Sequence, residues 1–335
     1  MIRIAEDYRR ILLLRAGAIG DVMHTLPTVK WLKELYPQAE IVFCSDLSLK
    51  ELLKSAHYID RVQPVKLSSN PVELFQQARQ IKCSIKGRFD LILNLQPSWK
   101  SRFFCWFLGG SGYREYRKRA DQTIPSWRNF SDTFRLGLTS DQVHSFLPLL
   151  MIADQNLQLP ERPFVALALG VGKFRSQRAW SLEYWVDLVE KLQRDYRELR
   201  FALIGGKDEQ NLSYKFKQMI GIELKDKVQD YTGIATLIET AYLLQNARLT
   251  ISGDTGPLHL AGAVGCLSLG LFGPTSAQRH HPYGGEVIEA GMKCDPACTS
   301  RRCVLDASES CMSSLKPEVV IEKVSELLTV QKVIK

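Results

Sequence analysis

The chain has 335 residues, 45% of them hydrophobic and 24% charged, which suits two folded domains and excludes a polar, disordered chain. No apolar run approaches the roughly 20 residues needed to span a bilayer, and the stretch from Met1 to Asp7 has no apolar signal core, so a cytoplasmic protein is expected. The net charge of +8 favours acidic partners: a phosphorylated glycolipid, an anionic membrane or nucleic acid. No recognisable nucleic-acid module accompanies the charge, so no nucleic-acid partner is expected.

The first strand is predicted over 11–14, where Ile11-Leu12-Leu13-Leu14 has the continuous apolar pattern of a strand buried on both faces. The glycine loop Arg15-Ala16-Gly17-Ala18-Ile19-Gly20-Asp21 follows. A helix over 22–35 comes next. The dinucleotide fingerprint G-x-G-x-x-G fails here, because Arg15 occupies the place of the first glycine. Nor does the second strand, over 41–44, end on the usual acidic residue. Both points disfavour a nicotinamide enzyme.

Asp21, in a glycine loop at a cleft, is a candidate general base; equally, it is a first-turn aspartate that stabilises its helix. His24 stands three residues on and shares that face, to orient a substrate or to pack. Further strands are predicted over 62–65 and 91–95, with helices over 49–55, 71–82 and around 101–108. This alternation calls for a parallel sheet covered on both faces. The basic, aromatic stretch 114–129 shows no period and reads as a loop or an irregular segment.

A linker is expected over 154–163. A second strand–helix series then begins, with strands over 164–169, 201–204, 249–252 and 267–272. Its helices fall near 182–195, 210–220, 234–245 and 257–264. A last amphipathic helix over 317–328 is expected to pack back toward the first domain.

The most informative stretch is Ile251-Ser252-Gly253-Asp254-Thr255-Gly256-Pro257-Leu258-His259-Leu260. It reads as strand, tight turn and helix start, and backbone N–H groups at a helix N-terminus suit phosphate. Three more loops follow strands at the same edge. Leu169-Gly170-Val171-Gly172-Lys173, with Arg175 and Arg178 beyond it, supplies glycines and cations for a diphosphate. Ile204-Gly205-Gly206-Lys207-Asp208-Glu209 supplies acids for ribose hydroxyls or for a helix start. Phe272-Gly273-Pro274-Thr275 supplies a hydroxyl for ligand or for capping.

Cys44, Cys83, Cys105 and Cys266 are scattered beside apolar residues, as reduced core thiols are. Cys294, Cys298, Cys303 and Cys311 cluster, but without the tight C-x2-C pairs usual in structural zinc sites. Metal, disulfides and free thiols all stay open for them. There is no G-x-S-x-G elbow and no Walker loop.

The run from Arg15 to Pro27 resembles the N-terminal signature of the ADP-heptose:lipopolysaccharide heptosyltransferases, a glycosyltransferase family 9-like group. The run from Ser252 to Ala261 resembles their nucleotide-sugar motif. Phe272-Gly273-Pro274-Thr275 and Phe89-Asp90-Leu91-Ile92-Leu93-Asn94-Leu95-Gln96 fit as well. The similarity spans roughly residues 10–325, with the motifs in the family order.

The resemblance implies an α/β, GT-B fold: two Rossmann-like domains with parallel sheets facing a central cleft. Residues 1–155 would form the acceptor domain and 160–316 the nucleotide-sugar domain, with 317–335 a helix that would pack back on the first. It implies inverting transfer of a heptose from ADP-L-glycero-D-manno-heptose to the inner core of lipopolysaccharide, with Asp21 as general base. Gly170, Arg178, Glu209, Asp254, Thr255, Gly256, His259 and Thr275 would bind the donor. Arg178 stands where members often carry a lysine. Gly20, His24, Lys100, Arg114 and Arg117 would serve the acceptor, a phosphorylated glycolipid reached by peripheral contact with the inner face of the inner membrane.

No cofactor beyond the donor is expected. No metal is expected either, since the sequence holds no Asp-x-Asp pair. A monomer is expected. Kept as alternatives are a related transferase using another ADP- or UDP-sugar and a nucleotide-sugar epimerase of similar fold.

Overall fold

A parallel strand pair needs a crossover, and this chain places a helix after nearly every strand. The computed structural model describes residues 8–85, 87–172, 175–291 and 310–333. The chain divides into two units, Met1–Met151 and Ile152–Lys335. That division falls a few residues ahead of the linker expected over 154–163.

The first unit runs β1 (Arg10–Leu14), α1 (Ile19–Leu35), β2 (Glu40–Ser45), α2 (Lys50–Lys54), β3 (Arg61–Pro64), α3 (Pro71–Ser84), β4 (Phe89–Asn94), α4 (Trp99–Leu108), β5 (Gly110–Glu115), α5 (Ser126–Thr133) and α6 (Ser140–Ser145). Its sheet has the order β3-β2-β1-β4-β5, and every pairing is parallel. Leu12 faces Val42 on one side and Ile92 on the other. Ile11 through Leu14 are fully buried, as a central strand covered on both faces requires. Leu74, Ala78 and Ile81 of α3 and Phe104 and Leu108 of α4 share one core with Leu12, Leu14 and Val42, so both helices cover the same face of the sheet.

The second unit runs β6 (Phe164–Ala168), α7 (Leu182–Asp195), β7 (Arg200–Leu203), α8 (Gln210–Met219), β8 (Val228–Asp230), α9 (Leu237–Asn246), β9 (Leu249–Gly253), α10 (Gly256–Ala263), β10 (Ser268–Phe272), α11 (Ala277–His280), β11 (Glu286–Glu289) and α12 (Pro317–Val333). The sheet order is β11-β10-β9-β6-β7-β8, again all parallel. The last expected helix, α12, belongs to the second unit. Val320, Val324, Leu327 and Leu328 of α12 join the core that α7 lines with Trp185, Leu188, Val189 and Leu192. That stripe buries more apolar surface there than exposure would allow.

Each sheet reverses its winding once. In the first, the chain steps from β1 out to β3, then restarts on the other side at β4. In the second it steps from β6 out to β8 and restarts at β9. Ligands of open parallel sheets bind beyond the carboxyl ends of strands at such switch points. The relevant loops are therefore those after β1 and β4 in one unit, and those after β6 and β9 in the other. These are the loops in which the sequence places its strongest motifs.

Candidate functional site

In the second unit, Asp254 follows β9 directly and is buried, 5% exposed. Arg178, after β6, reaches it from 76 residues away. Its Nη1 lies 2.8 Å from Asp254 Oδ2 and donates to the Asp254 carbonyl at 2.8 Å. His259, one turn into α10, puts Nε2 3.3 Å from Asp254 Oδ1. His280 of α11 stands behind it, with ring centroids 6.5 Å apart.

Burial pushes the Asp254 carboxyl up. The hydrogen bond to His259 and the charges of His259, His280 and Arg178 outweigh that, and the group is held well below the usual carboxylate range. Burial pushes His280 down, against the pull of Asp254, to about 4. Burial likewise lowers Arg178, with Asp254 opposing and Arg175 adding to it. A buried ion pair of this kind is expensive to break, because the surviving charge is left without a partner.

Arg178 Nε is buried and has no acceptor among the described residues. Thr275 Oγ, after β10, is also buried and unpartnered among them. The next turn is capped by Ser276, whose side chain accepts from Arg279 N, so capping does not occupy Thr275. A donor and a hydroxyl left bare in a polar site suit an anionic, oxygen-rich ligand. Thr255 is the residue at which α10 begins, and its hydroxyl lies 2.9 Å from Ser252 Oγ. Gly256 is the first helical residue, so the amides of the first turn open at this edge.

Glu209 does what the sequence reading left undecided. Its Oε1 accepts from Gly172 N and its Oε2 from Gly206 N, both at 3.0 Å. One carboxylate thus ties the loop after β6 to the loop after β7. A Cβ on Gly170 would collide with that carboxylate, and Gly172 has φ of 75°. The positive φ of Gly172 favours glycine, and a side chain at Gly170 would push the Glu209 carboxylate out of place. Neither Glu209 bond contradicts a ribose contact, since each oxygen keeps a second lone pair.

In the first unit Asp21 is the third residue of α1, whose N-cap, Ala18, offers no side-chain cap. Its carboxylate pairs with Arg15, and the Asp21 side chain is 45% exposed. Arg15 is itself fixed: Nη1 donates to Leu95 O at 2.8 Å, and the guanidinium lies over the Phe130 ring. Gln96, after β4, accepts from Ala16 N at 3.1 Å. The loops after β1 and β4 are thereby joined, and Asp21 stands at the switch point. Gly20 is the residue before it in α1. His24 is 2% exposed, as a packed histidine is.

The remaining acceptor candidates are separate surface features. Lys100 Nζ donates to Ser69 Oγ at 2.6 Å. Arg114, in β5, and Arg117, beyond it, are exposed. Cys294, Cys298 and Cys303 lie outside the described residues; Cys311 is buried. Among the described residues no group of His, Cys, Asp or Glu side chains has the arrangement of a metal site, and no helix is long and apolar enough to cross a membrane.

Sequence reasoning gave no role to Arg15, Gln96 or His280. A cation as the first residue after a buried strand was the available signal for Arg15. Nothing in the sequence points to His280, which matters only through packing.

Two all-parallel α/β units, each with polar side chains at its switch point, have the architecture of a GT-B fold, and the comparisons support a glycosyltransferase. The family model "Glycosyltransferase family 9 (heptosyltransferase)" matches residues 147–308. "Lipooligosaccharide heptosyltransferase 2" of Haemophilus influenzae is 23% identical, over 95% of this chain and 99% of its own length. The solved structure of E. coli ADP-heptose lps heptosyltransferase II has a TM-score of 0.75 at 18% identity, covering 96% of this chain and 99% of that one. That of E. coli heptosyltransferase WaaC with ADP has a TM-score of 0.70 at 18% identity, covering 95% and 99%. The resemblance to glycosyltransferase family 9, the heptosyltransferases, thus extends over both units.

Proposed function

We propose that the chain transfers a heptose from an ADP-activated donor to the inner core of a lipopolysaccharide acceptor, with inversion at the anomeric carbon. The observation that carries the donor half is the buried Arg178–Asp254–His259 set beside the first turn of α10, with bare donors at Arg178 Nε and Thr275 Oγ. That E. coli WaaC was solved with ADP supports an adenosine diphosphate there.

In the proposed reaction the acceptor hydroxyl oxygen attacks the anomeric carbon while Asp21 takes its proton. The bond from that carbon to the donor's diphosphate oxygen breaks, and ADP leaves with the electron pair. The charge growing on the leaving oxygen meets the α10 amides and Arg178. Asp254 does not act as a base: its own partners hold it ionised and buried. It fixes Arg178 and His259. Arg15 keeps the Asp21 carboxylate in one orientation while leaving it open to a hydroxyl.

General-base help is worth about 10²–10⁴-fold. The test is turnover of ADP-heptose with a lipopolysaccharide inner-core acceptor, read as ADP release and as the anomeric configuration of the product. Transfer with retained configuration, or turnover from a UDP-sugar alone, contradicts the reading.

A further inference from the structure

We propose that the α3–α4 face of the first unit is a docking surface for an anionic phospholipid bilayer. The sheet side of these helices is core, but their outer side is apolar too. On α4, Trp99, Phe103 and Trp106 stand at spacing i, i+4, i+7 and so share one stripe. Trp106 is 76% exposed and Trp99 55%. On α3, Val72 is 62% exposed and Phe75 42%. The two stripes are continuous: Phe75 meets Phe107 edge-on at 5.1 Å, and Phe103 lies 6.1 Å from Trp106. Exposed apolar side chains scattered singly need no explanation; a joined aromatic patch does.

Charge selects the occupant. Arg79, Lys82, Lys100 and Arg102 lie on these helices against one acid, Glu73. Arg102 is satisfied by Glu115 of β5 at 3.0 Å. Lys82 snorkels across the patch, its Nζ 4.9 Å from the Phe107 ring centroid and donating to Phe107 O. Tryptophan beside lysine and arginine on the outer face of a helix is the pattern of insertion at the headgroup boundary of an anionic leaflet. A second copy of the chain would bring like charges together, and a bilayer of acidic lipid would not. The inference deepens the reading of a membrane-borne glycolipid acceptor, and the following experiment separates the two.

Sedimentation with phosphatidylglycerol–phosphatidylcholine vesicles is compared with phosphatidylcholine vesicles alone, using the full chain. The wild type is expected to bind the acidic vesicles about tenfold more tightly, less so as salt rises. Val72→Ser/Trp106→Ser is expected to weaken that binding about tenfold, with transfer to a delipidated, soluble core acceptor retained. Arg79→Glu, remote from the core, is expected to weaken the acidic-vesicle binding and leave binding to phosphatidylcholine unchanged. Equal binding by wild type and double variant overturns the proposal. So does indifference to acidic lipid, or a dimer in lipid-free solution that the double variant dissolves. Vesicle binding without any heptosyl transfer would sink the proposed reaction and leave the docking surface standing.

Discussion

The two switch points share a topology and differ in what they do with a carboxylate. Asp21 in the first unit is nearly half exposed and has one charged partner, Arg15. Asp254 in the second is buried and gripped by Arg178 and His259. An open carboxylate with one fixed orientation can exchange a proton; a buried one held by a guanidinium and an imidazole is a structural anchor. The same residue type beside the switch points of two parallel sheets, after the first strand in one and after the restart strand in the other, therefore takes unlike roles, and its surroundings decide which.

The sharpest way to break this comparison is to change each carboxylate in turn. Asp21→Asn is expected to lower kcat by about 10²–10⁴-fold and leave the dissociation constant for ADP-heptose within about twofold, since removal of a general base spares ground-state donor binding. Asp254→Ala does the opposite. It strands the buried Arg178 guanidinium, so it is expected to cost about 3–5 kcal/mol of stability in the second unit and to abolish donor binding. Thermal unfolding with and without ADP reads both effects.

Glu209→Gln is a finer probe. The amide still fits between the two loops, but its one oxygen accepts from only one of Gly172 and Gly206, and its NH2 is left facing the other N–H. About a tenfold loss of donor affinity is expected, one charge-assisted bond's worth. Unchanged affinity would mean that the joining of these loops does not matter to the donor.

Acid tests the histidine behind the anchor. His280 is pushed down to about 4 from 6.5. Between those values the unfolded chain takes up a proton that the folded chain refuses. Its contribution to stability is therefore full above pH 6.5 and is lost as pH falls toward 4. Asp254, held low, adds a further loss below about pH 3.8, in the same direction. The second unit's melting temperature should fall over this range, and His280→Phe should flatten the upper part of the fall. The smallest effect belongs to Thr275→Val. Removing a buried hydroxyl without a partner should leave the ligand-free protein as stable or slightly more so, while weakening donor binding by about 1 kcal/mol, one net hydrogen bond.

Much of the fold was legible because buried parallel strands advertise themselves. The expected helix over 182–195 coincides with α7, and the central strands β1, β6 and β9 fall where their apolar runs stand. The elements not foreseen are edges and short pieces. β5, β8 and β11 read GSGYRE, VQD and EVIE. Half of their residues face solvent, and their pairing is visible only once a neighbour is in place. The loop or irregular segment expected over 114–129 is found at 116–125, between the end of β5 at Glu115 and α5 from Ser126.

The site was legible as loops and not as partnerships. Gly170, Asp254, Thr255, Gly256 and His259 could be read from local motifs. That Arg178 spends its charge on Asp254, and that Glu209 ties two glycine loops, depend on contacts across 76 and 37 residues. No local pattern encodes such distances.

The measurement that bears most directly on the division of labour is calorimetric titration of ADP-heptose into wild type, Asp21→Asn and Asp254→Ala, with turnover followed in the same preparations. The account predicts equal donor binding by wild type and Asp21→Asn, with turnover lost only in the latter, and no donor binding by Asp254→Ala. Comparable loss of donor affinity in Asp21→Asn, or intact donor binding in a folded Asp254→Ala, would contradict it.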